Sequence, residues 1–441
     1  MSPPWPPERI SMFYLFYNLL SVFLLIPVAL FNAYRSLRLG WPAAFAERFG
    51  LIPAGELAKT GIRPVIVLHA VSVGEIIAAR PLLRALKERY PGHALVVSNT
   101  TETGRHTALA FPEIDLCIYF PFDFLPSVSL VLKDLCPEII IIMETEIWPN
   151  FCREAYNRSI PLVLANGRIS DRSFGRYLTF RRFFLPILNC FSAICVQSEI
   201  SRDRLVEIGA DYNRTRITGN LKNDIPFRSV SDDERQQLRN SYSLSAESRV
   251  VIAGSTRDNE ERLVISAYLE LLADFDDLLL ILAPRHPART EEVASLLTAS
   301  GLRFTLRSSL SGERRPKNGE VLLVDTVGEL MDLYALSDVA FVGGSLVPFG
   351  GHNLLEPASV GVPSIFGPHM ENFREIEALV LKYGAGVQVQ AAEELTETCR
   401  TLMKSDELRR VLGQNGLKMM RDNGGATARH LEVIAGYISE G

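Results

Sequence analysis

Residues 65–98 read VIVLHAVSVGEIIAARPLLRALKERYPGHALVVS, and the architecture follows from them. Val65–His69 and Ala94–Ser98 are short, unbroken apolar runs, the pattern of strands buried on both faces of a parallel sheet. Between them lies an amphipathic helix starting near Ile76, long enough for the crossover that parallel strands need. The alternation continues through Leu116–Phe120, Glu138–Met143, Leu162–Ala165 and Ala193–Gln197. It restarts at Val250–Ala253 and runs on through Leu278–Ala283, Val321–Val324, Val339–Val342 and Ser364–Gly367. Two doubly wound α/β units of similar size are expected. Their boundary should fall near residues 221–232 (LKNDIPFRSVSD), where periodicity lapses and proline and polar residues gather. From Ala391 onward the chain reads as almost all helix.

Composition agrees with this parse. A chain of 441 residues exceeds what one hydrophobic core usually covers. With 47% hydrophobic and 22% charged residues it is a folded globular protein, not a disordered or collagen-like one. A net charge of −5 argues against nucleic acid as a partner. The six cysteines form no Cys-x-x-Cys pair, as expected of reduced thiols in a cytosolic compartment.

The amino-terminal segment has a different character. From Met12 to Ala33 no residue is charged, and as a helix this run is about 33 Å long, enough for the roughly 30 Å hydrocarbon core. Tyr14, Tyr17 and Tyr34 suit the headgroup level, and Arg35, Arg38 and Arg48 follow, against Arg9 alone before it. The expectation is a single uncleaved anchor, spanning or deeply interfacial, with everything after residue 35 on the cytoplasmic side. A cleavable signal peptide fits less well, because its apolar region is only about 7–15 residues long.

Ligands of open α/β sheets sit beyond the carboxyl ends of the strands, so the loops there are where chemistry is expected. HAVSVGE (69–75) places Glu75 at a helix N-terminus, where the dipole favours the ionised form and a proton acceptor is available; a first-turn acid also serves simply as a cap. METEIWPN (143–150) offers Glu144 and Glu146 at a strand end, able to orient a hydroxyl or offset developing positive charge, or equally to cap the helix that Pro149 opens. GNLKND (219–224) puts Lys222 at the boundary, within reach of a phosphate or carboxylate.

The second unit carries a denser set. Ser255 and Thr256 follow its first strand, where small residues let N–H groups approach a phosphate. Pro284, Arg285 and His286 follow the next, and Gly328, Glu329 and Leu330 open a later helix. The glycine-rich stretch 343–357 (GGSLVPFGGHNLLEP) includes Asn353 and Glu356, the latter suited to ribose hydroxyls. Four such loops in one unit point to a nucleotide site. Asp274-Phe275-Asp276 has the spacing of a metal-binding pair but precedes a strand, at the wrong end of the sheet. No histidine spacing implies a metal, and no G-x-G-x-x-G or phosphate-loop motif implies a nicotinamide, flavin or other cofactor. Residues 172–184 (RSFGRYLTFRRFF) interleave arginines with aromatics, as on a surface meeting anionic headgroups, or as on an ordinary helix with its rings inward.

Taken in order, HAVSVGE, METEIWPN, GNLKND, AGSTRDNEE (253–261), PRH (284–286), the GEL of DTVGEL (325–330) and GGHNLLEPA (350–358) resemble the 3-deoxy-D-manno-octulosonic acid (Kdo) transferases of lipopolysaccharide synthesis across nearly the whole chain. The resemblance implies a GT-B fold, two Rossmann-like domains facing across a cleft, with the amino-terminal run as that family's membrane anchor. It implies domains at 1–40 (anchor), 41–225 (acceptor) and 226–441 (donor). It further implies inverting, metal-free transfer of Kdo from CMP-Kdo to the tetra-acylated disaccharide precursor of lipid A, at the cytoplasmic face of the inner membrane. The membrane would be held by the anchor and by segment 172–184. Carried over by resemblance, Glu75 is the base, Glu146 and Lys222 support the transition state, and Ser255, Thr256, Pro284, Arg285, His286, Gly328, Glu329, Leu330, Asn353 and Glu356 line the CMP-Kdo site. The rivals are another GT-B enzyme, of the sugar-nucleotide epimerase or disaccharide synthase type, and a membrane-anchored nucleotide-sugar binder without catalysis.

Overall fold

A computed structural model describes residues 10–39, 44–225, 227–310 and 315–439. The chain forms two compact units, residues 1–224 with 425–441, and residues 225–424.

The first unit is built on seven strands: β1 (Val65–His69), β2 (Ala94–Asn99), β3 (Leu116–Tyr119), β4 (Pro137–Met143), β5 (Leu162–Gly167), β6 (Ala193–Val196) and β7 (Thr215–Ile217). They lie in the order β3-β2-β1-β4-β5-β6-β7, and every pairing is parallel. Alternate residues supply opposite faces, as the two-residue period of a strand demands. Val65, Val67, Ile140 and Ile142 enter one core, and Ile66, Leu68, Ile139 and Ile141 enter the other.

The second unit repeats the plan with β8 (Arg249–Thr256), β9 (Leu278–Pro284), β10 (Phe304–Leu306), β11 (Val321–Leu323), β12 (Val339–Val342), β13 (Ser364–Phe366) and β14 (Gly386–Gln388), in the order β10-β11-β9-β8-β12-β13-β14. Again the faces divide by alternation, Val251 and Leu280 on one side, Val250 and Leu279 on the other. β7, β10 and β14 fall outside the expected strand set. Each has three residues, is mostly half-exposed and lies at a sheet edge, so none carries the long apolar run that marks a central strand.

One expected boundary changes. The last helix, Ala426–Ala435, belongs with the first unit, not with the donor unit that was expected to extend to residue 441. Ala426, Ile434 and Ile438 enter the first unit's core. The Asp224 carboxylate accepts from the N–H of Gly425 (2.7 Å) and from that of Thr427, capping the helix from the far end of the unit. His430, fully buried, has Nδ1 2.8 Å from the Ala426 carbonyl, while its Nε2 accepts from the Asn166 N–H at 3.0 Å. This pattern fixes a neutral ring, and burial lowers its pKa to about 4. Such ties between residues more than 200 apart in sequence leave no local periodicity to read.

The amino-terminal run is a 30-residue helix, Ile10–Leu39. Residues 1–9, with Arg9, and the Arg35 side chain lie outside the described residues. Leu15, Phe16, Leu19, Phe23, Ile26 and Leu30 are exposed. On another side the Tyr17 hydroxyl donates to Asp123 at 2.7 Å, and Arg153 sits 3.8 Å over the Tyr14 ring. Among the described residues no helix is long and apolar enough to cross a membrane. In segment 172–184 the rings of Phe174, Tyr177, Phe183 and Phe184 pack on the core, leaving Phe180 exposed among outward arginines. Its ordinary amphipathic reading therefore accounts for most of it.

Candidate active site

In each sheet the strand order reverses beside the first strand laid down: between β1 and β4 in the first unit, between β8 and β12 in the second. The loops that leave these neighbours diverge to opposite faces, which opens a crevice at their carboxyl ends. The residues singled out from sequence fall largely at these two points.

In the first unit the loop after β1 leads into the helix Val73–Arg89, with Ser72 as N-cap. Ser72 Oγ accepts from the Glu75 N–H (3.4 Å) and donates to Glu75 Oε1 (3.0 Å), while Oε2 accepts from the Val71 N–H at 2.9 Å. Glu75 therefore closes a variant of the capping box, reaching the N–H before the N-cap, and the same bonds fix its carboxylate at the crevice. The expectation that the helix terminus holds it readily ionised needs amending. Burial raises its pKa, against which the Val71 and Ser72 bonds and Lys222 pull down and Glu144 pushes further up. A carboxylate raised in this way is a stronger base than an exposed one.

After β4 the backbone turns left-handed at Glu144 (φ 55°). Lys222 Nζ meets Glu144 Oε1 at 3.0 Å, so the lysine is held by the residue two before Glu146. The sequence offers Glu144 as one of a pair without a role of its own; its partner lies 78 residues along the chain, beyond any local signal. Glu146 is pushed up to about 7, by burial first and then by the charge of Glu75. Its neighbour Trp148 lowers it, although the indole nitrogen lacks a partner of full hydrogen-bond geometry. The helix Pro149–Asn157 that follows is capped from outside, by Asp123, which accepts from the N–H groups of Asn150 (2.9 Å) and Phe151 (2.8 Å). His69 is structural: fully buried, stacked on Phe120 at 3.9 Å and held near pKa 3 by burial. The crevice thus gathers Glu75, Glu144, Glu146 and Lys222.

In the second unit the ends of β8 and β12 approach so closely that a Cβ on Gly343 would lie 2.6 Å from Thr256 Cα. Ser255 is left-handed (φ 59°) where β8 bulges. Arg257 donates to His286 Nε2 at 2.9 Å and to His352 Nε2 at 3.3 Å. Burial and then the positive charge of Arg257 and Arg285 lower His352 to about 4, leaving it neutral. Burial raises Glu356 to about 7, and Arg285 opposes it. Arg257, Arg285, His286, His352 and Glu356 form one electrostatic group suited to an anion.

Other expected site residues are placed differently. The Thr256 hydroxyl is buried and donates to Glu261 Oε1 at 3.0 Å, so it is not a free donor for a ligand. Glu329, at the start of the helix after β11, is engaged by Arg307 at 2.5 Å and by Thr326. Gly328 is exposed in a left-handed turn, and Leu330 starts a helix (Leu330–Leu336) while packing partly into the core. Pro284 ends β9, buried. Asn353 Oδ1 accepts from the Leu355 N–H at 3.1 Å, bracing the loop before Glu356.

The residue most clearly missed is Glu260. It is fully buried, and its carboxylate accepts from the N–H groups of Arg257 (3.1 Å), Gly344 (2.6 Å), Ser345 (3.1 Å) and Leu346 (3.0 Å). The N–H groups of Gly344, Ser345 and Leu346, at the start of the glycine-rich loop, are therefore filled by the protein's own carboxylate. In sequence Glu260 is one more acid in a first helical turn.

Two parallel α/β units with candidate chemistry at both switch points define the class, a protein of the GT-B fold. UDP-GlcNAc 2-epimerase from Neisseria meningitidis, solved bound to UDP-GlcNAc, shares the fold alone: TM-score 0.52 at 14% identity, covering 85% of this chain and 100% of that one. The profile of the family described as 3-Deoxy-D-manno-octulosonic-acid transferase (kdotransferase) matches residues 43–225. The 3-deoxy-D-manno-octulosonic acid transferase of Haemophilus influenzae is 36% identical over 376 residues, 85% of this chain and 87% of that protein. That of Bordetella pertussis is 32% identical over 410 residues, 90% and 92% of the two chains. The chain belongs to the Kdo transferase family.

Proposed function

We propose that the protein transfers Kdo from CMP-Kdo to the tetra-acylated disaccharide precursor of lipid A, with inversion, without a metal ion, and with Glu75 as general base. The observation that carries the reading is the Glu75 carboxylate, fixed by two hydrogen bonds at the β1–β4 switch point and raised in pKa by burial. The acceptor hydroxyl passes its proton to Glu75 as its oxygen bonds to the anomeric carbon. The bond from that carbon to the CMP phosphate breaks, and the electron pair leaves with CMP. One leaving phosphate needs less neutralisation than a diphosphate, and Arg257 and Arg285 supply positive charge for it. Glu146, near neutrality in its titration, orients the hydroxyl and offsets positive charge at the sugar, while Lys222 is positioned by Glu144. The first unit handles the acceptor and the second the donor.

The proposed location is the cytoplasmic face of the inner membrane, with the helix Ile10–Leu39 lying in the interface. Its exposed leucines and phenylalanines support this, and its side docked through Tyr14 and Tyr17 fits a surface-lying helix.

The test is CMP release by the detergent-solubilised chain given CMP-Kdo and the lipid A precursor in EDTA. Acceptor-dependent release is expected, falling about 10²- to 10⁴-fold in Glu75→Gln while CMP still binds. The amide of that variant keeps an oxygen for the Val71 N–H, so loss of folding is not the expected cause. Absence of acceptor-dependent release in the unaltered protein would overturn the reading, and full turnover by the variant would remove Glu75 as base.

A further inference from the structure

Within the first unit, a groove of about 390 Å³ runs between the helix Ile10–Leu39 and the segment that follows β3. One wall is a stripe of that helix, Leu24, Val28 and Phe31, spaced by four and three residues; the other is Phe120, Phe122 and Phe124. The stripe is not closed over by the facing wall: Leu24 remains 48% exposed and Val28 38%. The two charged wall residues are engaged within the protein, Asp123 by the Tyr17 hydroxyl and two backbone N–H groups and Arg48 by the Thr100 carbonyl at 2.9 Å and Glu102 at 3.7 Å, so neither calls for an ionic ligand. The Thr100 hydroxyl, also in the wall, has no partner.

The inner end of the groove leads to the candidate carboxylates. Trp148 lines it two residues after Glu146, and the Phe120 ring lies 5.6 Å from Trp148 and 3.9 Å from His69, the last residue of β1. A molecule whose hydroxyl sits at Glu75 would therefore lay an apolar tail along this channel. An apolar cavity of about 150 Å³ takes a six-carbon benzene, roughly 25 Å³ per carbon, so the groove matches a chain of roughly 15 carbons. A polypeptide helix, about 10 Å across with its side chains, is too thick for it.

Resting on the reaction proposed above, we propose that this groove takes one acyl chain of the lipid acceptor, drawing it out of the bilayer and fixing the disaccharide at Glu75. The protein would then measure acyl length at the helix that also meets the membrane.

The experiment compares acceptors of one headgroup and graded acyl length on the full solubilised chain, unaltered and as Leu24→Trp and Val28→Trp. Both positions are exposed on the helix, so the fold accommodates the change. Leu19→Trp, exposed on the same helix outside the groove, controls for a general effect on that helix. For the unaltered protein kcat/KM should rise with chain length and level off at roughly 15 carbons, where the groove is full. The two groove variants should level off at shorter chains and lose on the order of tenfold on the longest acceptor, through acceptor KM. Identical length profiles in all four proteins, or an equal loss in Leu19→Trp, would overturn the proposal. So would a phospholipid that competes as well as the acceptor, since the occupant would then be bulk membrane lipid. If the unaltered protein turns over no acceptor at all, the reaction itself fails and the groove proposal falls with it; normal turnover with an unchanged profile sinks the groove alone.

Discussion

The two units share a sheet plan and differ in the sign of what stands at the switch point. Beyond β1 and β4 three carboxylates gather around one lysine; beyond β8 and β12 two arginines and two histidines gather around one glutamate. Each site has a non-glycine residue in the left-handed region, Glu144 and Ser255, where the backbone leaves its strand. Each is also braced by an acid that satisfies N–H groups of a neighbouring segment, Asp123 those of a helix start in one and Glu260 those of a loop in the other. Topology therefore fixes where a ligand can sit, and the side chains decide whether that place removes a proton or holds an anion.

After Glu75→Gln, the largest expected effect is on the brace of the basic site. Glu260→Ala leaves four N–H groups, those of Gly344 and Ser345 buried, without their acceptor and should cost on the order of 3 kcal/mol of stability, whereas Glu260→Gln keeps one acceptor oxygen and should cost less. Thermal unfolding of the two variants measures this, and donor KM should follow the same order. Equal melting temperatures would mean that the loop does not depend on the carboxylate.

Arg285→Ala tests whether the basic site serves the donor. Donor KM should rise roughly 10- to 100-fold, the worth of a charged hydrogen bond, with a smaller change in acceptor KM. A loss confined to acceptor KM would reverse the roles of the units.

Lys222→Met probes the acidic site through its pH profile. Glu75 works ionised, so rate rises with pH through its pKa, and the Lys222 charge is one of the influences that lower that pKa. Without it the pKa rises, and the ascending limb of kcat/KM should move to higher pH. Lys222 is partly exposed, so solvent screening keeps the movement small. A limb that moves to lower pH would contradict the assignment of Glu75 as base.

The smallest effect belongs to Asp274→Asn. Asp274 pairs with Arg400 on the surface and precedes β9, at the amino edge of the sheet. Turnover without chelator should stay within about twofold of the unaltered protein, as expected for an exposed ion pair. A large loss would bring back the metal-binding reading of residues 274–276.

The long central strands were legible because burial on both faces demands unbroken apolar runs, and Val65–His69 or Leu278–Ala283 carry them without help from the rest of the chain. The loops after them were legible as well, since the carboxyl edge is where a parallel sheet exposes chemistry. β7, β10 and β14 were not, because three half-exposed residues carry too little pattern. Site residues divided along the same line. Glu75, Glu146 and Arg285 stand in the loops after long strands, whereas the salt bridge from Glu144 to Lys222 and three of the four bonds of Glu260 join segments far apart in the chain.

What the amino-acid order determined, then, is the pair of parallel sheets, the loops at their carboxyl ends and membership of a glycosyltransferase family. Local periodicity and contiguous motifs are enough for those. Tertiary structure alone decided that the last helix returns to the first unit through Asp224 and His430. It decided that the Thr256 hydroxyl and the N–H groups of Gly344, Ser345 and Leu346 are already taken, and that Glu146 is raised to about 7 by burial beside Glu75. Burial, capping at a distance and the field of a neighbouring charge are properties of assembled space, and a pKa or a hydrogen-bond partner exists only once that space has closed.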